Sequence, residues 1–182
     1  MQCRITSGGG FSGSFPPLKA VYKRPSWQDE QVQEYLDKNG PETFLGFPDD
    51  SAVGYNPQGR AFPDIAAYAN AYPIIKYDGS VSGASGTSLA APLTAGLITL
   101  VNQALLEQGH KKVGYMNPML YWMAKSCPEA FNEIKSGDNA DNQNDANDLK
   151  CKYGFNAAPG WDVSPCLDSL VILLLTSSVV CI

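Results

Sequence analysis

Ser85-Gly86-Thr87-Ser88-Leu89-Ala90-Ala91-Pro92 is the stretch whose reading decides the fold. It sets a hydroxyl at the mouth of an Ala- and Leu-rich segment, directly after a Gly-Thr turn. Residues 89–108 read as a helix, and Gly109 is the stop expected just past a helix end. The first amides of a helix lack intrahelical partners and carry partial positive charge. An oxyanion developing at Ser88 would therefore be stabilised there. Gly86, Ala90 and Ala91 are small enough for an extended peptide to approach the backbone closely. Serine is also a common helix cap with no chemistry attached. The Gly-rich approach through Gly79, Gly83 and Gly86, and the Ala-Pro that follows, favour the chemical reading.

A serine hydroxyl near neutral pH attacks poorly until a base takes its proton. The chain has one histidine, His110, just past the helix stop. A helix of this length puts its two ends roughly 30 Å apart. His110 is thus expected at the surface, and the base must be a carboxylate or come from outside the chain. Asp29, Glu30 and Glu34 fall on an expected amphipathic helix from Ser26 to Lys38, where charge is usually a solvated face.

The Gly-Thr-Ser turn resembles the way serine peptidases of subtilisin-like architecture present their nucleophile. More specifically, the chain resembles the sedolisin family of serine-carboxyl peptidases, nearest its tripeptidyl-peptidase branch. The segments that carry the resemblance are Ser7-Gly8-Gly9-Gly10-Phe11-Ser12 with Phe15-Pro16, and Gly59-Arg60-Ala61-Phe62-Pro63-Asp64-Ile65-Ala66. The serine motif comes next, followed by Asn117-Pro118, Phe131-Asn132-Glu133-Ile134 and Gly154-Phe155-Asn156-Ala157-Ala158-Pro159-Gly160-Trp161-Asp162. They occur in family order from about residue 7 to residue 162.

The resemblance implies that Ser88 is the nucleophile, activated by a Glu and an Asp, with a further Asp helping to bind the oxyanion. In family members these acids precede the Gly-Gly-Gly-Phe-Ser segment, so they are expected outside this chain, with an N-terminal half, a prosegment and a signal peptide. Asp64 is expected to be structural. The resemblance also implies one Ca²⁺, held by Glu133, the Ile134 carbonyl, the Ala158 and Gly160 carbonyls, and Asp162. Glu133 stands where the family has Asp, and Ala158 stands where it has Gly, which requires a negative φ at that position. The Asp- and Asn-rich stretch 137–148 lacks the Gly and terminal Glu of an EF-hand loop and reads as a solvated acidic excursion. Peptide or protein substrates and a lysosomal or secreted, acidic setting follow from the same resemblance.

A net charge of −5 over 182 residues argues against a nucleic-acid footprint. Of five cysteines, Cys151 lies where tripeptidyl-peptidase relatives carry disulfides. A bridge from Cys151 to Cys127 or to Cys166 is consistent with this, and spacing does not decide between them. The apolar run 170–182 is shorter than the ~20 residues of a spanning helix, so no membrane span is expected.

Short apolar strands expected at 64–72 and 73–77, with a turn at Asp78-Gly79, alternate with helices. That order points to an α/β fold with the parallel sheet of the subtilisin-like architecture, this chain supplying the C-terminal half. Residues 1–162 read as that peptidase portion. Residues 163–182 read as a divergent apolar tail, for which a packed element or a misjoined gene model accounts equally well. Three functions compete. One is a peptidase whose acids lie outside the chain, either endopeptidase or tripeptidyl-peptidase. Another is an inactive pseudo-peptidase serving as a binding or structural module. The third is an ordinary subtilisin relative with upstream His and Asp, which the Gly-Gly-Gly-Phe-Ser and Gly-Trp-Asp motifs count against.

Overall fold

Pro25, at φ −76° and ψ 148°, holds an extended backbone and launches helix α1 (Ser26–Lys38) at the expected place. Gln28, Val32 and Tyr35 recur at helical spacing and form its buried face. The opposite face carries the Lys38–Glu34 pair at 2.5 Å and the Gln33–Asp37 hydrogen bond at 2.8 Å. The computed structural model describes residues 8–13, 22–39, 55–140 and 154–163. The chain divides into two compact units, Met1–Asp64 with Glu133–Cys166, and Ile65–Asn132 with Leu167–Ile182.

In the first unit, strand β1 (Gly10–Phe11) pairs antiparallel with β2 (Ala61–Phe62), Phe11 opposite Ala61. The Gln28 carboxamide closes this pair from α1. Its Nε2 donates to the Ala61 carbonyl at 2.9 Å, and its Oε1 accepts the Ala61 N–H at 3.1 Å. A buried amide is tolerated here because its donor and its acceptor both find backbone partners. Around it pack Phe11, Val32, Tyr35, Ala61, Phe155, Ala158 and Val163, flanked by Leu36, Tyr55 and Trp161. Tyr55 stacks on Phe11 at 5.0 Å, and Trp161 meets Tyr35 edge-on at 5.8 Å. Gly9 lies so close to this core that an added Cβ would sit 1.5 Å from the Val163 carbonyl oxygen. Only glycine lets the two backbones approach this far. Val163, the first residue of the expected tail, is therefore core; the rest of that tail lies outside the described residues.

In the second unit, β3 (Tyr72–Ile75) pairs antiparallel with β4 (Val81–Ala84). Asp78 shapes the turn between them by accepting the Ser80 N–H at 2.9 Å and the Ser80 hydroxyl at 2.7 Å. Helix α2 (Thr87–Glu107) follows, then α3 (Asn117–Ser126) and a single 3₁₀ turn at Pro128–Ala130. Met123, Cys127 and Ala130 form a small core flanked by Met119 and Phe131. Cys127 is disulfide-bonded. The other cysteines, and so the choice of partner, lie outside the described residues.

The expected α/β parallel sheet is not shown among the described residues, where both sheets are two-stranded and antiparallel. The strands β3 and β4 are joined by a short turn, and a short turn reverses the chain, whereas parallel neighbours need a long crossover. The expected buried strands at 64–72 and 73–77 reduce to β3 alone, and it is not buried, with Ile75 79% exposed. Its partner, Val-Ser-Gly-Ala, is too poor in large apolar residues to be recognised by composition.

Helix α2 is the other surprise. It is apolar along most of its length, yet Ala90 is its one buried residue. By length and composition it is the one helix among the described residues able to cross a membrane.

Candidate active site and metal loop

Ser88 is the second residue of α2 and is exposed. Gly86, at φ 146° and ψ 160°, caps the helix, and its carbonyl accepts the Leu89 N–H at 3.0 Å. The approach is strapped down: the Gly86 N–H donates to the Ala69 carbonyl at 2.7 Å. The Ser85 hydroxyl donates to Asn70 Oδ1 at 2.8 Å and accepts the Ala71 N–H at 2.9 Å. Ser85 is thus a positioning residue for the turn before Ser88. Its partner lies 15 residues away, and no local pattern announces it.

Among the described residues no side chain hydrogen-bonds to Ser88 Oγ. His110 follows the far end of α2, its N–H on the Leu105 carbonyl at 2.8 Å. A helix of 21 residues separates the two ends by roughly 30 Å, so His110 is not the base for Ser88. Asp64 has both oxygens on Arg60 Nη2, at 2.7 and 2.6 Å, and the guanidinium lies 5.2 Å over the Trp27 ring. A carboxylate committed to a half-buried arginine in this way ties down backbone. Asp29 pairs with Arg24 at 2.7 Å and Glu34 with Lys38, as expected of a solvated face.

The residues expected around calcium belong to the first unit, and two of them converge on one turn. Glu133 Oε1 accepts the Gly160 N–H at 2.8 Å, and Asp162 Oδ2 accepts the Ala158 N–H at 3.4 Å. Asp162 is buried, and the indole N–H of its neighbour Trp161 donates to the Pro63 carbonyl at 3.1 Å. Gly160 takes φ 93°, a conformation glycine adopts without penalty, so the turn depends on it. Ala158 has no positive φ, so its replacement of glycine costs no backbone strain. Ile134 is half-buried beside Glu133.

Among the described residues no three His, Cys, Asp or Glu side chains gather as a metal cage. Calcium does not require one, because backbone carbonyls serve as ligands. Two carboxylates beside one turn, Glu133 on the Gly160 amide and Asp162 on the Ala158 amide, are oxygen donors of the hardness calcium prefers.

Charge and burial shape the surrounding groups. The Lys135 ammonium and the Gly160 amide hold the Glu133 carboxyl below its ordinary range, and Glu133 raises the Lys135 ammonium in return. Burial, then the charge of Asp162, pushes the Tyr35 phenol up, while its hydroxyl donates to the Asn156 carbonyl at 2.8 Å. The stretch read as a solvated acidic excursion begins otherwise. Asn139 Oδ1 accepts the Phe155 N–H at 2.6 Å, the Ala157 N–H donates to the Gly137 carbonyl at 2.8 Å, and Ala140 is buried. Pairing with residues 155–157 makes these residues part of the fold. Residues 141–148 lie outside the described residues.

No family model matches the chain. It is 36% identical over 163 residues to tripeptidyl-peptidase sed1 of Aspergillus fumigatus, a match covering 86% of this chain and 22% of that protein. It is 33% identical to tripeptidyl-peptidase 1 of Dictyostelium discoideum over 157 residues, and 33% identical to that of Bos taurus over 168 residues. These matches cover 86% of this chain in each case, with 22% and 24% of the relatives. The chain therefore spans about a quarter of the length of the curated relatives it matches. Among solved structures it is similar to Pseudomonas sedolisin, a serine-carboxyl proteinase, complexed with pseudo-iodotyrostatin. The TM-score is 0.58 at 26% identity, covering 92% of this chain and 35% of that one. On sequence and structure together, the chain belongs to the sedolisin family of serine-carboxyl peptidases, in its tripeptidyl-peptidase branch.

Proposed function

We propose that the chain contributes the nucleophile of a peptidase working at acidic pH, with Ser88 attacking the scissile carbonyl. The observation that carries this is the position of Ser88 in the first turn of α2, behind a strapped Gly-Thr turn, in a chain of this family. In the reaction Ser88 Oγ bonds to the carbonyl carbon while its proton passes to a carboxylate base. The oxyanion is stabilised by the first amides of α2, and the protonated base returns the proton to the leaving amine. The base, its partner acid and the oxyanion Asp are proposed to come from polypeptide outside these 182 residues. The substrate is a peptide or protein, taken either internally or at its amino terminus, and the setting is lysosomal or secreted. The bare apolar surface of α2 is proposed to pack inside the complete domain rather than in a bilayer.

Peptide hydrolysis by the product of the whole open reading frame tests this, with the 182-residue chain assayed alongside. Ser88→Ala in the longer product lowers kcat at least about a thousandfold, and the short chain alone shows no turnover. Hydrolysis that survives Ser88→Ala overturns the nucleophile assignment. Turnover by the short chain overturns the placement of the acids elsewhere. The lack of a hydrogen-bond partner for Ser88 Oγ among the described residues favours a second reading for the short chain alone, an inactive binding or structural module.

We further propose that Glu133, Asp162 and the carbonyls of Ile134, Ala158 and Gly160 hold Ca²⁺. Bound there, the ion supplies structural cross-linking and no chemistry at Ser88. Chelation then lowers the melting temperature, by an amount that grows with the ratio of free calcium to its Kd before chelation. An unchanged melt removes the calcium assignment.

A further inference from the structure

Glu133 is occupied on both sides. Its Oε1 accepts the Gly160 amide at 2.8 Å, and its Oε2 pairs with Lys135 Nζ at 2.8 Å. The residue expected to offer calcium an oxygen already has a cation of its own, supplied from two positions along the chain. A divalent ion and an ammonium repel each other at such distances, and they cannot share one oxygen lone pair. The Lys135 side chain is 69% exposed, so it can swing into water at little cost. Lys38 also bears on the Glu133 carboxyl, but its own ammonium is engaged with Glu34 at 2.5 Å.

We propose that Lys135 is the resident counter-cation of the 158–162 turn, holding Glu133 in place without metal and competing with Ca²⁺ for that carboxylate. The inference rests on the calcium reading above and adds a residue that tunes affinity. A chain with lysine here binds the ion more weakly than one without it, and the difference is electrostatic, so salt suppresses it.

The test is calorimetric titration of the 182-residue chain with calcium chloride, for wild type, Lys135→Met and Lys135→Arg, at low and high ionic strength. Lys135→Met is expected to tighten binding about threefold or more at low salt, with the gap closing at high salt, while Lys135→Arg stays near wild type. Equal Kd values for wild type and Lys135→Met overturn the competition. Melting in chelator separates the two claims. If no variant binds calcium, the calcium reading fails by itself, and a lower melt for Lys135→Met than for wild type still supports the counter-cation. Identical melts in chelator overturn the counter-cation.

Discussion

The two units of this chain treat apolar surface in opposite ways. The first buries Tyr35, Val32, Phe11 and Phe155 in one core, with Trp161 edge-on to Tyr35 and Tyr55 edge-on to Phe155. The second leaves its longest and most apolar helix bare, with Leu100 and Leu106 about half exposed. A helix earns little stability from propensity alone and most from burying a face against neighbours. The first unit therefore holds its own packing partners, whereas α2 presents a surface whose partners are not among the described residues. The chemistry attributed to Ser88 thus sits on the less supported of the two.

Substitutions measure that contrast, beginning with the largest effect. Tyr35→Ala empties the centre of the first core and is expected to cost about 3–5 kcal/mol of stability, read by denaturant unfolding of that unit. Leu106→Ala on α2 is expected to change stability by less than about 0.5 kcal/mol. Equal costs at the two positions erase the distinction between the units. A smaller loss, about 2–3 kcal/mol, is expected for Gln28→Ala, which strands the N–H and C=O of Ala61 in the core. A near-neutral result there shows that water reaches Ala61 and that the first core is looser than its packing indicates.

A titration sharpens the comparison at the turn. The folded-state pKa of Glu133 lies below its ordinary value of 4.5, chiefly through Lys135. Its stabilising contribution is therefore complete above about that value and is lost as pH falls through the lowered one. The group is solvent-screened, so the loss is below about 1 kcal/mol. Melting of wild type and Glu133→Gln is expected to converge as pH falls below the ordinary 4.5 and through the lowered value; curves that stay parallel remove the contribution.

Much of the local structure was legible from sequence. Pro25-Ser26 opens α1, Gly109 follows the end of α2, and Asn117-Pro118 opens α3, within a residue of expectation. The place of Ser88 at a helix mouth and the exclusion of His110 by distance were legible too. The antiparallel pairing of β3 with β4 was not, because strand direction depends on which segment becomes a neighbour, and β4 carries almost no composition signal.

What the sequence determined by itself is therefore what short-range physics sets: helix ends, the position of one hydroxyl, and the motifs that assign the family. Tertiary structure alone decided the rest. Gln28 finds Ala61 across 33 positions, Tyr35 finds Asn156 across 121, and Glu133 turns to Gly160 and Lys135 at once. Such pairings depend on which distant segments the core brings together, and capping and periodicity carry no record of that.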